Sequence, residues 1–102
     1  MTSRRVKEGT QVQGVDEQIV YSLTTTPWCS LPASIAVVAK DKTVDLADVS
    51  ATVLSGAASA NGDVISLPTL SGLTKDHTYR IEVKFSAGGN TFEAYFEVAA
   101  EL

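Results

Sequence analysis

From Val15 onward the chain alternates apolar and polar residues in short runs, and no stretch sustains the i, i+3, i+4 spacing of an amphipathic helix. Valine, threonine and aromatic residues fill these runs, as is typical of β-strands. Turn-forming residues separate the runs, at Pro27, Pro32, Ser55–Gly56, Asn61–Gly62, Pro68, Ser71–Gly72 and Gly88–Gly89. Short strands at this spacing predict an all-β sandwich or small barrel.

The C-terminal part of the chain predicts a β-hairpin around Gly88–Gly89. A two-residue turn needs positive φ, which glycine permits, and it places Ala87 opposite Asn90. The remaining pairs are then apolar, Phe85–Phe92, Val83–Ala94, Ile81–Phe96 and Tyr79–Val98, or charged, Lys84–Glu93 and Arg80–Glu97, with Glu82–Tyr95 as the exception. A slip of one residue would break both sets, so the register is strongly specified.

Four more strands are predicted upstream, at Gln18–Thr24, Ser34–Lys40, Val49–Val53 and Val64–Leu67. The last is entered through Asn61–Gly62, a preferred hairpin turn pair. With the hairpin, and with a further candidate at Gln11–Gln13, the count is six to seven, as in a single immunoglobulin or fibronectin III-like antiparallel β-sandwich. The predicted core consists of Tyr21, Ile35, Val37, Val53, Ile65, Ile81, Val83, Phe85, Phe92 and Phe96.

A second pattern favours this fold. Leu73 precedes Tyr79 by six residues, a spacing that resembles the tyrosine corner of fibronectin type III and related domains. In that corner the tyrosine hydroxyl bonds to a backbone group a few residues upstream and locks the crossover between strands. The alternative is a tyrosine that simply begins a strand.

Charge divides the chain into two regions. The 102 residues, enough for one domain, hold 12 acids and 8 bases, and a net charge of -4 argues against a general nucleic-acid binder. Residues 1–14 nevertheless carry Arg4, Arg5 and Lys7 against Glu8 alone. We interpret them as an N-terminal arm, mobile or held by a partner, before a sandwich domain over residues 15–102. The arm is either a frayed terminus or an assembly arm that makes contacts through Arg4, Arg5 and Lys7.

Few side chains could take part in catalysis or in metal binding, and we expect no catalytic, cofactor-binding or metal site. A catalytic triad requires a base, and His77 is the only histidine, in a stretch that predicts an exposed turn. The single cysteine, Cys29, excludes an intrachain disulfide framework and is interpreted as a small buried residue. Asp41, Asp45 and Asp48 lack the glycine turn of a calcium loop and are interpreted as a solvated connection. No apolar run approaches a membrane span, and no signal peptide is expected.

Four passages of the chain also share an order with a known group of proteins. The strand Ile19–Leu23 leads into Trp28, the apolar strand Ser34–Ala39 follows, and the passages Leu67–Leu73 and Thr78–Val98 complete the order. Over roughly residues 15–99 this order resembles the small fibre–tail adaptor proteins of tailed bacteriophages and prophages. The chain departs from that pattern at Pro27, where an acid is expected, and at Gly72, where a glycine pair is expected.

The resemblance implies a non-enzymatic virion structural protein, an adaptor subunit of a tail, neck or baseplate. Such a subunit is present in multiple copies on a ring and joins tail parts to host-recognition fibres. Its partners are other virion proteins and copies of itself, without nucleic acid, membrane or cofactor. It is located in the tail region of the virion, and in the host cytoplasm before assembly. The alternative is an autonomous immunoglobulin-like binding module for a surface glycan or receptor. Trp28 is either an exposed binding platform, as in sugar-binding modules, or the core tryptophan of the sandwich.

Overall fold

The computed structural model describes residues 10–24 and 33–101, which are mostly β-strand. The strands are β1 (Gln11–Gly14), β2 (Ile19–Thr24), β3 (Ala33–Asp41), β4 (Ala47–Asp48), β5 (Leu54–Ser55), β6 (Ser59–Asn61), β7 (Val64–Leu70), β8 (Thr78–Ala87) and β9 (Asn90–Glu101). A 3₁₀ turn spans Lys42–Val44, and a single α-helical turn, α1, spans Ser50–Val53.

The strands form two sheets. The larger has the order β1-β9-β8-β3-β4, and the smaller has the order β2-β7-β5, with β6 also pairing with β7. This architecture is consistent with the predicted all-β sandwich. The expected six to seven antiparallel strands are wrong in two respects. First, the described residues contain nine strands. The additional β4, β5 and β6 were not predicted, because strands of two or three residues show no alternation. Second, β1 pairs with β9 in parallel.

The hairpin prediction is confirmed in every pair. β8 and β9 are antiparallel, with Ala87 opposite Asn90, Phe85 opposite Phe92, and Lys84 opposite Glu93. Gly88 and Gly89 both have positive φ, +57° and +82°, as a tight two-residue turn requires. The rings of Phe85 and Phe92 stack with their centroids 5.8 Å apart. The alternation of side chains along these two strands is therefore sufficient to specify their register.

The predicted strand at Val49–Val53 is wrong, because Ser50–Val53 form the helical turn α1. The backbone N–H groups of Thr52 and Val53 donate to the carbonyl oxygen of Val49, at 2.9 and 3.0 Å. The Ser50 hydroxyl accepts from the backbone N–H of Ala39 at 2.9 Å, which anchors the turn to β3. α1 carries the chain from the larger sheet to the smaller one, so this contact between distant residues overrides the local alternation.

The other upstream strands are confirmed with changed ends. β2 and β3 begin and end within one residue of the predicted bounds, whereas β7 continues to Leu70. Asn61 pairs with Val64, so the turn residues are Gly62 and Asp63 rather than the predicted Asn61 and Gly62. Gly62 takes the positive φ of +62° at the first turn position.

The core lies between the sheets. Of the ten predicted core residues, Val53, Ile65, Ile81, Val83, Phe85 and Phe96 are buried, whereas Tyr21, Ile35, Val37 and Phe92 are partly buried against the core. The remaining buried apolar residues are Leu23, Ala39, Leu67, Leu70, Leu73, Tyr79, Ala94, Val98 and Ala100.

The tyrosine corner is confirmed. The Tyr79 hydroxyl accepts a hydrogen bond of 2.7 Å from the backbone N–H of Thr74, five residues upstream. Leu73 and Tyr79 are both buried. The alternative, a tyrosine that simply begins a strand, is wrong. The bond joins the loop before β8 to the second residue of that strand, which is the contact expected of a tyrosine corner.

The predicted N-terminal arm, residues 1–14, overlaps the larger sheet. Its last four residues form β1, with Gln11 opposite Val98 and Gly14 opposite Glu101. The arm residues Arg4, Arg5 and Lys7 lie outside the described residues, as do Trp28 and Cys29.

Candidate functional site

A histidine–carboxylate pair lies where β3 ends and β8 begins. His77 Nδ1 is 2.7 Å from Asp41 Oδ2, and the side chains are 27% and 8% exposed. The second Asp41 oxygen accepts from the backbone N–H of Thr43, and the Thr43 hydroxyl accepts from the backbone N–H of Thr78, each at 3.0 Å. The predictions of an exposed turn histidine and of a solvated Asp41 are therefore wrong, because folding brings together two residues that are 36 positions apart.

This pair orients an imidazole as the acid of a catalytic triad does, but a triad also needs a nucleophile at the other ring nitrogen. Within the described part of the chain, Asp41 is the one hydrogen-bond partner of the His77 ring. The backbone of the same loop is bonded to the end of β9, because the Ala100 N–H donates to the His77 carbonyl oxygen at 2.9 Å. The His77–Asp41 pair and the bond from Ala100 to His77 together join β3, β8 and β9 at one end of the sandwich.

The other two aspartates of the predicted solvated connection are exposed, as expected. Hydrogen bonds from the Ser50 backbone N–H, at 3.0 Å, and from the Ser50 hydroxyl, at 2.7 Å, hold the pKa of the Asp48 carboxyl below its usual value. Asp45 takes a left-handed conformation with φ +50° at the end of the 3₁₀ turn. Across residues 10–24 and 33–101, no three histidine, cysteine or acidic side chains lie close enough to hold a metal ion.

A buried glutamine ties β1 to the smaller sheet. The Gln13 side chain is fully buried, and its Nε2 donates to the carbonyl oxygens of Leu70, at 2.8 Å, and Glu17, at 3.0 Å. Its Oε1 accepts from the Tyr21 hydroxyl at 3.0 Å. Burial raises the pKa of the Tyr21 hydroxyl above its usual value, and the Glu17 carboxylate adds to the increase. The sequence predictions did not include Gln13, although a glutamine between Val12 and Gly14 in a strand candidate was a signal.

The outer face of the larger sheet carries most of the charged side chains of the strands. Lys42 bridges to Glu97, and Lys40 lies 3.5 Å from Glu82. Arg80 Nε is 3.1 Å from Glu82 Oε2 but without the geometry of a hydrogen bond, and its guanidinium lies 4.2 Å from the Tyr95 ring centroid. The Lys40–Glu82 pair is partly exposed and contributes little stability, whereas the Glu97 carboxylate that bridges to Lys42 is buried.

One end of the sandwich is acidic. Gly14 pairs with Glu101, Asp41 pairs with Tyr79, and the Asp76 N–H donates to the Ala100 carbonyl oxygen, so the loops at these strand ends share one end of the molecule. The carboxylates there are Asp16, Glu17, Asp41, Asp45, Asp76 and Glu101, against the bases Lys42 and Lys75. The acidic end is opposite in charge to the N-terminal arm.

The two sides of the sandwich differ in their edge strands. One side, which we call the β1/β2 side, has four- and six-residue edges without a charged residue or a proline. Val12 and Val20 on these strands are 56% and 59% exposed, the largest exposures among the large apolar side chains described. On the opposite side, the described edge strands are β4, β5 and β6, with two or three residues each. Very short strands protect a sheet edge, and the β1/β2 side lacks that protection within the described residues.

Comparisons of the chain with protein-family models, with curated proteins and with solved structures find no match. No helix in residues 10–24 and 33–101 is long and apolar enough to cross a membrane.

Proposed function

We propose that the chain is a non-enzymatic structural subunit of a tailed-bacteriophage virion. It acts as an adaptor in a tail, neck or baseplate, in multiple copies on a ring, and joins tail parts to host-recognition fibres. Its partners are other virion proteins and neighbouring copies of itself. It resides in the host cytoplasm before assembly and in the tail region of the virion afterwards. The support comes from the resemblance of residues 15–99 to adaptor proteins and from the edges of the sandwich.

We further propose that the sandwich is immunoglobulin-like. The larger sheet brings β3, β8 and β9 together and adds β4, as a C–F–G sheet with an extra strand does. The smaller sheet has β7 between β2 and β5, as E lies between B and D. The Tyr79 corner at the start of β8 supports the same assignment.

The observation that carries the functional proposal is the contrast between the two sides. Among the described residues no strand lies beyond β2, and a free edge of this kind templates pairing with another chain. An uncharged edge is suited to a protein whose working state is an assembly, in which a neighbour covers it. The opposite charges of the arm and of the acidic end provide a second contact between copies, which sets orientation more than affinity.

Purified particles test the function. We expect the chain in particles of the phage or prophage whose genome encodes it, at several copies per particle by quantitative mass spectrometry. Its gene should lie among head, portal and tail genes. Absence from the particles, with a gene fused to or beside a larger catalytic or adhesin chain, would support the glycan- or receptor-binding module instead.

A further inference from the structure

We propose that the free edge of β2 receives residues 1–9 of a neighbouring copy as an added strand. The inference deepens the proposed function, on which it rests for the presence of a neighbouring copy. The mode is β-augmentation, in which main-chain hydrogen bonds to an exposed sheet edge provide the contact. It assigns a specific receiver on the sandwich to these nine residues, the part of the N-terminal arm before β1, which is called the arm from here on.

The receiver is the longest free edge described. β2 pairs with β7 on one side, and no described strand lies on the other. Its six residues, Ile19–Thr24, contain no lysine, glutamate or proline, which are the residues that proteins use to block edges. Side chains on its outer face are small and uncharged, with Val20 followed by Ser22 and Thr24. Within residues 10–24 and 33–101, no strand therefore occupies the backbone groups along this edge.

The arm has the length to serve as that strand. Nine residues precede Thr10, and an extended chain rises about 3.3 Å per residue, so they span about 30 Å. β2, with six residues, spans about 20 Å on the same rise. Nine residues thus cover β2 and leave about three to make the connection between copies.

Charge favours the arm over an arbitrary strand. Asp16 and Glu17 are exposed directly before β2, at the acidic end. In antiparallel addition the C-terminal part of the arm, with Lys7, lies beside this pair. The net charge of the arm is opposite to that of the acidic end, so addition brings unlike charges together and guides the approach. Glu17 also accepts from the backbone N–H of Gly14 at 2.6 Å, which holds its carboxylate at this position.

Binding of a neighbour's arm depends on protein concentration, whereas binding of the chain's own arm does not, so a concentration series distinguishes the two. NMR measures the amide chemical shifts of the isotope-labelled full chain from about 20 µM to about 1 mM. Analytical ultracentrifugation of the same samples measures the average mass. We expect the β2 amides to shift with concentration while the average mass rises. The full chain carrying Arg4→Glu, Arg5→Glu and Lys7→Glu should associate at least about tenfold more weakly.

A matched pair of variants tests the edge itself. Ser22→Lys places a charge on the free edge strand, and Thr69→Lys places the same charge on the same face of the central strand β7. We expect Ser22→Lys to weaken association at least about tenfold and Thr69→Lys to leave it unchanged. The two lysine variants are compared only if their NMR spectra show a native-like fold. If either variant unfolds, the arm variant provides the test.

Three results would overturn the inference. The first is a full chain that stays monomeric, with constant β2 shifts, up to about 1 mM. The second is a change of β2 shifts in the arm variant that is independent of concentration, which would place the chain's own arm on the edge. The third is equal weakening by Ser22→Lys and Thr69→Lys, which would indicate a face contact. Arm-dependent association of a protein absent from particles would contradict the proposed function and leave the edge contact standing.

Discussion

Replacement of Gln13 by methionine should destabilise the fold out of proportion to the change in shape. Methionine has nearly the length and volume of glutamine but no amide, so it removes three hydrogen bonds and leaves little cavity. The carbonyl oxygen of Leu70, a buried residue, then loses a donor at 2.8 Å. The Glu17 carbonyl oxygen and the Tyr21 hydroxyl lose partners at 3.0 Å each, in partly buried positions.

The size of the destabilisation follows from how deeply each group that loses a hydrogen bond is buried. A buried acceptor left without a donor costs about 1–3 kcal/mol. The two partly buried groups regain some bonding to water, so each adds about 0.5 kcal/mol, the lower end for a net hydrogen bond. The free energy of unfolding should therefore fall by about 2–4 kcal/mol, a large part of the roughly 5–15 kcal/mol of a typical domain.

Urea unfolding followed by circular dichroism measures this change. With a slope of about 2 kcal/mol per molar urea, the midpoint should fall by about 1–2 M. Val12→Ala is the matched control, because Val12 neighbours Gln13 on β1 but is exposed, and it should change stability by less than about 0.5 kcal/mol. A loss below about 0.5 kcal/mol for Gln13→Met would refute the view that this side chain ties β1 to the smaller sheet.

Three further substitutions test other contacts. Tyr79→Phe should lower the free energy of unfolding by about 1–2 kcal/mol in the same assay, because Thr74 N–H loses its acceptor; no change would contradict the corner. Ile81→Ala should cost about 2–5 kcal/mol, and a loss under about 0.5 kcal/mol would mean that Ile81 faces solvent. Ser50→Ala should raise the Asp48 pKa toward its usual value in an NMR titration. Because the folded pKa of Asp48 is lowered, its contribution is present above the unfolded pKa and is lost as pH falls through the folded pKa. An unchanged Asp48 pKa would contradict the hydroxyl bond.

Little of the candidate site was predictable. The sequence predictions treated Asp41 and His77 as separate exposed groups, because nothing local relates residues 36 positions apart. Gln13 reaches Leu70 across 57 positions, so its burial depends on the packing of β1 beside β7. The edge position of β2 among the described strands was equally unpredictable, since a strand's place in a sheet depends on its neighbours and not on its own residues.

Local alternation was enough to determine the β8–β9 hairpin and its Gly88–Gly89 turn. The alternation of a strand is visible in neighbouring residues of the sequence, and a one-residue slip in register would expose the whole apolar face. The partition of strands between two sheets, the parallel pairing of β1 and the helical turn at Ser50–Val53 were decided only by tertiary structure. In each of these, bonds to distant residues outweigh the local preference, as when Ser50 bonds to Ala39 and turns an apparent strand into a crossover.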